Sequence, residues 1–236
     1  MSTSGTIIAI GSGEAVIGER DNPIHDFILS TTNKKNPKIG FLGTASGDHP
    51  KTEESFYRSY TNRSKPSDLK LFYRTLADLR SWFEEQDAFL VGGGNTANML
   101  AVWRLHGIDI LLEEAWRQGK TLAGGSAGAL CWFEGGITDS FSNRELTPLK
   151  DGLNLLEGTI CPHYNSPSGL RQPAYEQAIL DSHLYPGYAI DDYAATVFEG
   201  RKFVEAVSTK PDNGVKHLEL RGGEIREHII EAKQLY

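Results

Sequence analysis

The fold of this chain is decided by the stretch TLAGGSAGAL, residues 121–130. Small apolar residues lead into Ser126, which Gly124, Gly125 and Gly128 surround, and an apolar helical pattern follows at once. This order predicts a buried strand, a very tight turn and the start of a helix. Because glycine has no Cβ, the backbone can bend sharply there and expose the hydroxyl at the strand end. Ser126 is therefore a candidate nucleophile.

The alternative is a Gly/Ser-rich turn that only joins a strand to a helix, since G-x-S-x-G is frequent by chance. A serine hydroxyl reacts only when a base takes its proton and an acid orients that base. Two N–H donors must also hold the oxyanion that forms. The functional interpretation of Ser126 thus depends on whether other segments supply these groups.

Composition describes an ordinary globular protein, with 236 residues, 39% hydrophobic and 23% charged. This length suits a single α/β domain over residues 1–236. A net charge of −7, without a Lys/Arg cluster, argues against a nucleic-acid partner. No apolar run approaches the roughly 20 residues of a membrane helix, and no signal peptide is visible. We therefore expect a cytoplasmic protein without a membrane partner.

The sequence predicts neither a metal site nor a cofactor. Cys131 and Cys161 form no C-x-x-C pattern or disulfide framework, and the seven histidines show no paired spacing. The G-S-G-E turn at residues 11–14 lacks the third glycine of a dinucleotide loop. We interpret this turn as one wall of the site.

Short apolar strands alternate with amphipathic helices through residue 130, which indicates a mostly parallel sheet covered on both faces. Beyond it, the pattern predicts a loop, an irregular excursion, two more strands and an antiparallel C-terminal meander. The predicted class is a three-layer α/β fold with an antiparallel C-terminal edge. The predicted strands are 6–10, 38–43, 69–73, 88–91, the strand ending at Ser126, 159–164 and 188–192; the loop is 134–140, the excursion 141–158, and the meander begins at 202.

Two glycine-rich turns fall at the carboxyl ends of predicted strands, where α/β sheets bind their ligands. One precedes Ser126, and the other is the triple glycine at residues 92–94. Three successive glycines suit a backbone that lies against another loop or a ligand. We expect the amides of Ala127 and Gly94 to be the two oxyanion donors.

His163 is the candidate base, because it follows a predicted strand and should face the same sheet edge. A hydrogen-bonded structural histidine is the alternative. Asp191 and Asp192 end the next apolar run, and only one of them can face His163, since successive strand residues point to opposite sides. We expect surface positions for the histidines in helices or in the meander, which are His25, His106, His183, His217 and His228.

Taken together and in order, these motifs resemble those of the peptidase E family, the serine peptidases of the aspartyl dipeptidase and cyanophycinase group. The likeness covers roughly residues 6–200. It implies a flavodoxin-like sheet related to class I glutamine amidotransferases, with serine where those enzymes carry cysteine. It also implies Ser126 as nucleophile, His163 as base and Asp192 as the orienting acid, with Gly94 and Ala127 as oxyanion donors. The matching motifs are VGGGNT at 91–96, GSAG at 125–128, PHY at 162–164 and IDD at 190–192.

Two positions depart from the family pattern. The acid is commonly Glu, and Asp192 is one methylene shorter, so His163 must lie closer to it. The family's aspartyl dipeptidases carry an arginine that pairs with the substrate's aspartate, and Tyr175 stands at that place here. Arg171, one helical turn earlier, is either its substitute or an ordinary solvated charge. Asp139 is either a group that binds the substrate ammonium or a loop cap.

The sequence thus predicts a serine peptidase that hydrolyses dipeptides or small peptide amides through a Ser-His-Asp triad and an acyl-enzyme. The alternatives are a cyanophycinase-like peptidase, amidase or esterase on the same fold, and a non-catalytic binding protein that retains the pocket. A small peptide is the expected partner, and a homo-oligomer stays open. Cys161 is disfavoured as nucleophile because it lies only two residues from His163.

Overall fold

The computed structural model describes residues 5–74, 76–142 and 145–236. Within these ranges, the strands form one sheet of eight and one of six. No helix there combines the length and the apolar character needed to cross a membrane. The strands are β1 Thr6–Ile10, β2 Lys38–Leu42, β3 Lys65–Leu69, β4 Ala88–Val91, β5 Thr121–Gly125, β6 Gly135–Thr138, β7 Thr147–Leu149, β8 Thr159–Pro162, β9 Gly187–Ile190, β10 Ala194–Glu199, β11 Lys202–Ser208, β12 Val215–Arg221, β13 Glu224–Ile230 and β14 Ala232–Gln234.

The larger sheet has the strand order β14-β11-β10-β1-β5-β4-β2-β3. Its neighbours from β1 to β3 are parallel, and β10 adds to the other side of β1 in antiparallel orientation. The predicted α/β class, with a mostly parallel sheet and an antiparallel edge, is confirmed. The helices that connect the strands are α1 Ile24–Ser30, α2 Pro50–Tyr60, α3 Leu79–Glu85, α4 Thr96–His106, α5 Ile108–Arg117, α6 Ala127–Leu130 and α7 Arg171–Leu180.

Alternate residues of the central strands enter two separate cores, as buried parallel strands require. Ile8 and Ile10 of β1 join the core that α1 and α2 cover. Ile7 and Ala9 point the other way, into the core that contains α4 and α5. Helices therefore cover both faces of the larger sheet.

The smaller sheet, in the order β13-β12-β9-β8-β6-β7, packs on the same core as α4 and α5. Helix α6 lies between the sheets and contacts β5 and β1 of the larger one and β8 and β6 of the smaller one. The outer face of the smaller sheet packs on α7 through Cys161, Tyr175 and Ile179. Because α6 follows Ser126 directly, this packing places the Ser126 turn where the two sheets meet.

Three segments differ from the sequence prediction. The third strand was predicted at residues 69–73 but is β3, Lys65–Leu69, while Phe72 and Tyr73 are 52% and 74% exposed. An edge strand buries few side chains, so its polar sequence gives no apolar signal. Strands β6 and β7 lie within the predicted loop and excursion, of which residues 143 and 144 fall outside the described part.

The predicted C-terminal meander is also divided between the sheets. Strand β11 pairs with β10 in the larger sheet, whereas β12 pairs with β9 in the smaller one. Side-chain alternation reports that a strand is half buried, but not which neighbour it pairs with. The split of these strands is therefore a property of the tertiary structure.

His25 is fully buried, so the prediction of a surface position for it was wrong. Its ring packs on Tyr60 with 5.0 Å between ring centroids. Burial lowers the pKa of His25 below its usual 6.5, and the positive charge of Arg63 acts in the same direction. His25 is therefore neutral in the folded protein near neutral pH.

We expect this burial to make the fold sensitive to acid. The unfolded chain binds a proton at position 25 near pH 6.5, whereas the folded chain does so only at lower pH. The free energy of unfolding should therefore fall as the pH drops below 6.5. His25→Gln should reduce that loss when urea midpoints near about pH 7.5 and about pH 5.5 are compared. The exposed His183→Gln is the matched control, and an unchanged pH dependence in His25→Gln would contradict the prediction.

A substitution at Gly128 tests how closely α6 packs against β4. A Cβ at this position would lie 2.4 Å from the carbonyl oxygen of Val91 in β4. Gly128→Ala should therefore lower the free energy of unfolding by about 1–3 kcal/mol in urea titrations. Gly214→Ala meets no heavy atom within 4 Å and should have little effect. Equal stability of the two variants would mean that α6 moves away without cost.

Candidate active site

Ser126 lies on a sharp turn between β5 and α6, with φ 56° and ψ −112°. Such a conformation is strained for a residue with a Cβ and persists only where the surroundings enforce it. The flanking glycines allow the turn. A Cβ at Gly125 would lie 2.5 Å from the carbonyl oxygen of Ser12, and one at Gly124 would lie 2.3 Å from that of Gly128. The predicted strand, tight turn and helix are confirmed.

The end of β1 fixes both Ser126 and His163. The Ser126 N–H donates to the carbonyl of Ile10 at 3.0 Å, and the His163 N–H donates to the carbonyl of Gly11 at 3.1 Å. Gly11 in turn packs on the strand that carries the acid, because a Cβ there would lie 2.0 Å from the carbonyl oxygen of Asp191. The His163 and Asp191 segments therefore meet at Gly11, next to the Ile10 carbonyl that holds Ser126.

His163 and Asp192 form the one direct pair within the predicted triad. His163 Nδ1 lies 2.6 Å from Asp192 Oδ1, and both side chains are about a quarter exposed. The Asp192 N–H donates to the side-chain oxygen of Asn165 at 2.9 Å, and the side-chain amide of Asn213 donates to the Asp192 carbonyl. A histidine held at Nδ1 presents Nε2 as its proton acceptor.

Asp191 has a different environment. Its carboxylate accepts a hydrogen bond from the Gly214 N–H at 3.0 Å, and desolvation raises its pKa. It therefore supports the loop after β9, while its neighbour Asp192 faces His163. This is the opposite orientation that two successive residues of a strand end require.

Ser126, His163 and Asp192 line one cavity of about 520 Å³. Among the described residues, no hydrogen bond joins the Ser126 hydroxyl to the His163 ring, although both residues line the cavity. Catalytic hydrogen bonds are often long in free enzymes and tighten with substrate. The other lining residues are Ser12, Gly13, Ile17, Gly18, Lys51, Thr52, Ser55 and Gly93.

The triple glycine approaches Ser126 through Gly93. A Cβ at Gly93 would lie 3.4 Å from the Cβ of Ser126, and Gly93 lines the cavity. Gly94 has φ 139° and packs on the Ala45 carbonyl, so the peptide between these glycines runs beside the nucleophile turn. The Ala127 N–H begins α6 and has no partner within that helix. Gly94 and Ala127 stay the predicted oxyanion donors.

The family model for peptidase family S51 matches residues 7–206. This chain belongs to that family. The peptidase is therefore a hydrolase of the serine type, in agreement with the resemblance read from the sequence motifs.

Three relatives illustrate the likeness. The peptidase is 40% identical over 230 residues to a Bacillus subtilis (strain 168) protein named "Uncharacterized peptidase YgaJ", covering 97% of this chain and 98% of that one. A peptidase from an acI-B1 Actinobacterium has a similar fold, with a TM-score of 0.69, 19% identity, and 98% and 96% of the two chains covered. A putative peptidase E protein from Listeria monocytogenes EGD-e gives a TM-score of 0.61 at 20% identity, covering 88% of this chain and all of that one.

Asp139 and Arg171 lie on a different cavity, of about 570 Å³. Their side chains pair with each other, Arg171 Nη2 to Asp139 Oδ2 at 3.2 Å. Tyr175, which stands where the dipeptidases carry arginine, is fully buried and bonded to the Thr159 hydroxyl at 2.9 Å, so it packs in the core. A role for Asp139 and Arg171 in substrate binding stays a prediction.

The two cysteines are buried and reduced. Desolvation raises the pKa of Cys161 to about 12 and raises that of Cys131 well above its usual value. A thiol with such a pKa is protonated at neutral pH and is a poor nucleophile. This environment disfavours the alternative of a Cys161 nucleophile.

One wall of the Ser126 cavity was not foreseen from the sequence. Lys51, Thr52 and Ser55 of α2 line it together with Ile17 and Gly18. Helix α2 begins after the loop that follows β2, and β2 is a parallel strand whose carboxyl end faces the site. The position of α2 after this strand end was the one sequence signal that it could line the site. The spacing of Lys51 and Ser55 does not add to that signal, because it is also typical of a solvated helix face.

The two neighbouring aspartates allow a matched test. Asp192→Asn should lower kcat about 10³-fold, since an amide neither holds the required His163 tautomer nor stabilises the imidazolium. Asp191→Asn should retain most of the activity, because an amide oxygen can still accept from the Gly214 N–H. Both rates are measured on one dipeptide, with urea midpoints to confirm folding. Equal losses in the two variants would refute the assignment.

Proposed function

We propose that this family S51 peptidase hydrolyses small peptides, dipeptides foremost, through a Ser126-His163-Asp192 triad and an acyl-enzyme. The observation that carries the proposal is the 2.6 Å contact between His163 Nδ1 and Asp192 Oδ1 beside the strained Ser126 turn. All three side chains line the same cavity. The proposed nucleophile, base and orienting acid therefore come from three strand ends that share one cavity.

In the first step, the Ser126 Oγ attacks the peptide carbonyl while its proton passes to His163 Nε2. Asp192 stabilises the resulting imidazolium through the Nδ1–H. The developing oxyanion would take hydrogen bonds from the Ala127 N–H and from the Gly94 N–H of the triple-glycine turn. Each such donor is typically worth about 2.7–4 kcal/mol in the transition state.

The proton on His163 then passes to the leaving amine, which departs with the C-terminal part of the peptide. Water attacks the Ser126 ester with His163 again as base, and the second product leaves with a free carboxylate. No cofactor enters this sequence, because the bond change is a hydrolysis that balances with water alone.

The size of the cavity supports a small substrate. Its volume of about 520 Å³ falls within the usual range for small-molecule sites, roughly 300–1,000 Å³. Its lining residues come from several separate segments, including α2 and the Ser126 turn. We propose a short peptide and not an extended chain as the substrate.

Ser126→Ala should lose hydrolysis of dipeptides by about 10⁵-fold or more while keeping its fold, because the nucleophile is absent. Release of free amino acids from a dipeptide panel measures this loss, and urea midpoints verify folding. The matched control is Ser55→Ala, which alters a hydroxyl on the same cavity without removing the nucleophile.

A fluorophosphonate probe separates the enzyme from a binding protein that retains the pocket. The native protein should be labelled on Ser126, as peptide mapping by mass spectrometry would show, and Ser126→Ala should not. Undiminished turnover by Ser126→Ala, or labelling at another residue, would overturn the proposed triad. Simple esters and β-linked peptides in the same panel test the esterase and cyanophycinase-like alternatives.

A further inference from the structure

The wall of the Ser126 cavity that α2 provides carries a positive charge that the proposed hydrolysis does not use. Lys51 lines the cavity and is solvent-exposed. Among the described residues, no carboxylate lies within 4 Å of its ammonium group, whereas Lys34, Lys38 and Lys216 each pair with an acid. The Lys51 ammonium is thus available to a ligand in the cavity.

Ser55 provides a second polar group on the same face. Residues four apart on a helix are neighbours, so the Ser55 hydroxyl lies beside the Lys51 stem, and both line the cavity. Ser55 Oγ accepts a weak 3.4 Å contact from Arg58, which leaves its own O–H free to donate. The Thr52 hydroxyl is already engaged, since it donates to the His49 carbonyl at 2.6 Å.

The first amides of α2 are not the binding groups. The Lys51 N–H donates to His49 Nδ1 at 3.2 Å, and the Thr52 N–H donates to the His49 carbonyl at 3.0 Å. Any selectivity of this wall therefore depends on side chains, chiefly on Lys51. A single substitution can consequently remove it without disturbing the helix start.

The same cavity also contains a carboxylate of the protein, that of Asp192. This group would repel a substrate that carries a carboxylate. Lys51 offsets this repulsion and would hold the carboxylate away from the His163–Asp192 pair. Arg171 is not an equivalent group, because it lies on the other cavity and is paired with Asp139.

We propose that Lys51, assisted by Ser55, binds a carboxylate of the peptide substrate and makes the enzyme select anionic peptides. This inference rests on the proposed function, since it names a substrate feature of the same site. The carboxylate has two possible sources, the C-terminal α-carboxylate of a dipeptide or an acidic side chain. The chemistry of recognition is the same for both.

Four dipeptides distinguish the sources. The ratio of kcat/KM for Ala-Ala over Ala-Ala amide reports on the α-carboxylate, and the ratio for Asp-Ala amide over Asn-Ala amide reports on the side chain. Lys51→Gln should lower at least one ratio about 5- to 20-fold, the range for a charged hydrogen bond at a partly exposed site. The ratio that falls identifies the carboxylate.

Two further variants control for charge and position. Lys51→Arg keeps a cation and should retain most of the preference. Lys65→Gln removes an exposed lysine of β3 that does not line the cavity, so it should leave both ratios unchanged. If Lys51→Gln leaves both ratios unchanged, or if Lys65→Gln lowers them equally, the inference is overturned.

Measurements of binding affinity test the role of Lys51 independently of the proposed triad. In the Ser126→Ala background, calorimetric affinity for the same four dipeptides should show the same preference and lose it with Lys51→Gln. If the native protein hydrolyses no peptide, the proposed function fails, but this binding comparison still decides the role of Lys51. Equal affinity within both pairs in the Ser126→Ala protein, Ala-Ala against Ala-Ala amide and Asp-Ala amide against Asn-Ala amide, would overturn that role.

Discussion

Two consecutive carbonyl groups at the end of β1 are the constraint on which the site depends. The Ile10 carbonyl accepts from the Ser126 N–H and the Gly11 carbonyl accepts from the His163 N–H. Successive carbonyls of a strand point in opposite directions, so one binds the neighbour from the larger sheet and the other binds the smaller sheet. The backbone positions of the proposed nucleophile and base are thereby tied to two adjacent residues at the end of β1.

Gly11 makes this junction possible because it has no side chain. A Cβ there would occupy the space of the Asp191 carbonyl at 2.0 Å. The Gly11 N–H also donates to the Ala194 carbonyl at 2.9 Å, which ties β1 to the turn that carries Asp192. Two adjacent residues, Ile10 and Gly11, thus contact all three segments of the proposed triad.

Backbone strain is concentrated at the same place. Ser126 and His163 have φ of 56° and 55°, conformations that cost of order 1–3 kcal/mol each for residues with a Cβ. Their N–H bonds to the end of β1 and the buried packing of α6 hold both conformations. A flexible site could not keep them, so placement at the meeting of two sheets serves the preorganisation that acyl transfer needs.

The Ser126 turn, the central strands and the candidate base His163 could be predicted from the sequence because their signals are local. The glycines around Ser126 predict a tight turn. Polar residues that directly follow apolar parallel strands are expected at the same edge of the sheet. The edge strand β3, the strands β6 and β7 and the buried His25 lacked such a signal. Their burial depends on neighbours that are distant in the chain.

The sequence by itself determined the α/β class, the family and the candidate nucleophile, base and acid, since each rests on residue type and order. Only the tertiary structure divided the strands between two sheets and gave the contact of 2.6 Å between Asp192 Oδ1 and His163 Nδ1. It also brought Lys51 and Ser55 of α2 to the Ser126 cavity and left Asp139 and Arg171 on another one. The hydrophobic periodicity of a sequence indicates which face of a helix or strand is buried. Which other segment packs against that face depends on contacts between residues distant in the chain.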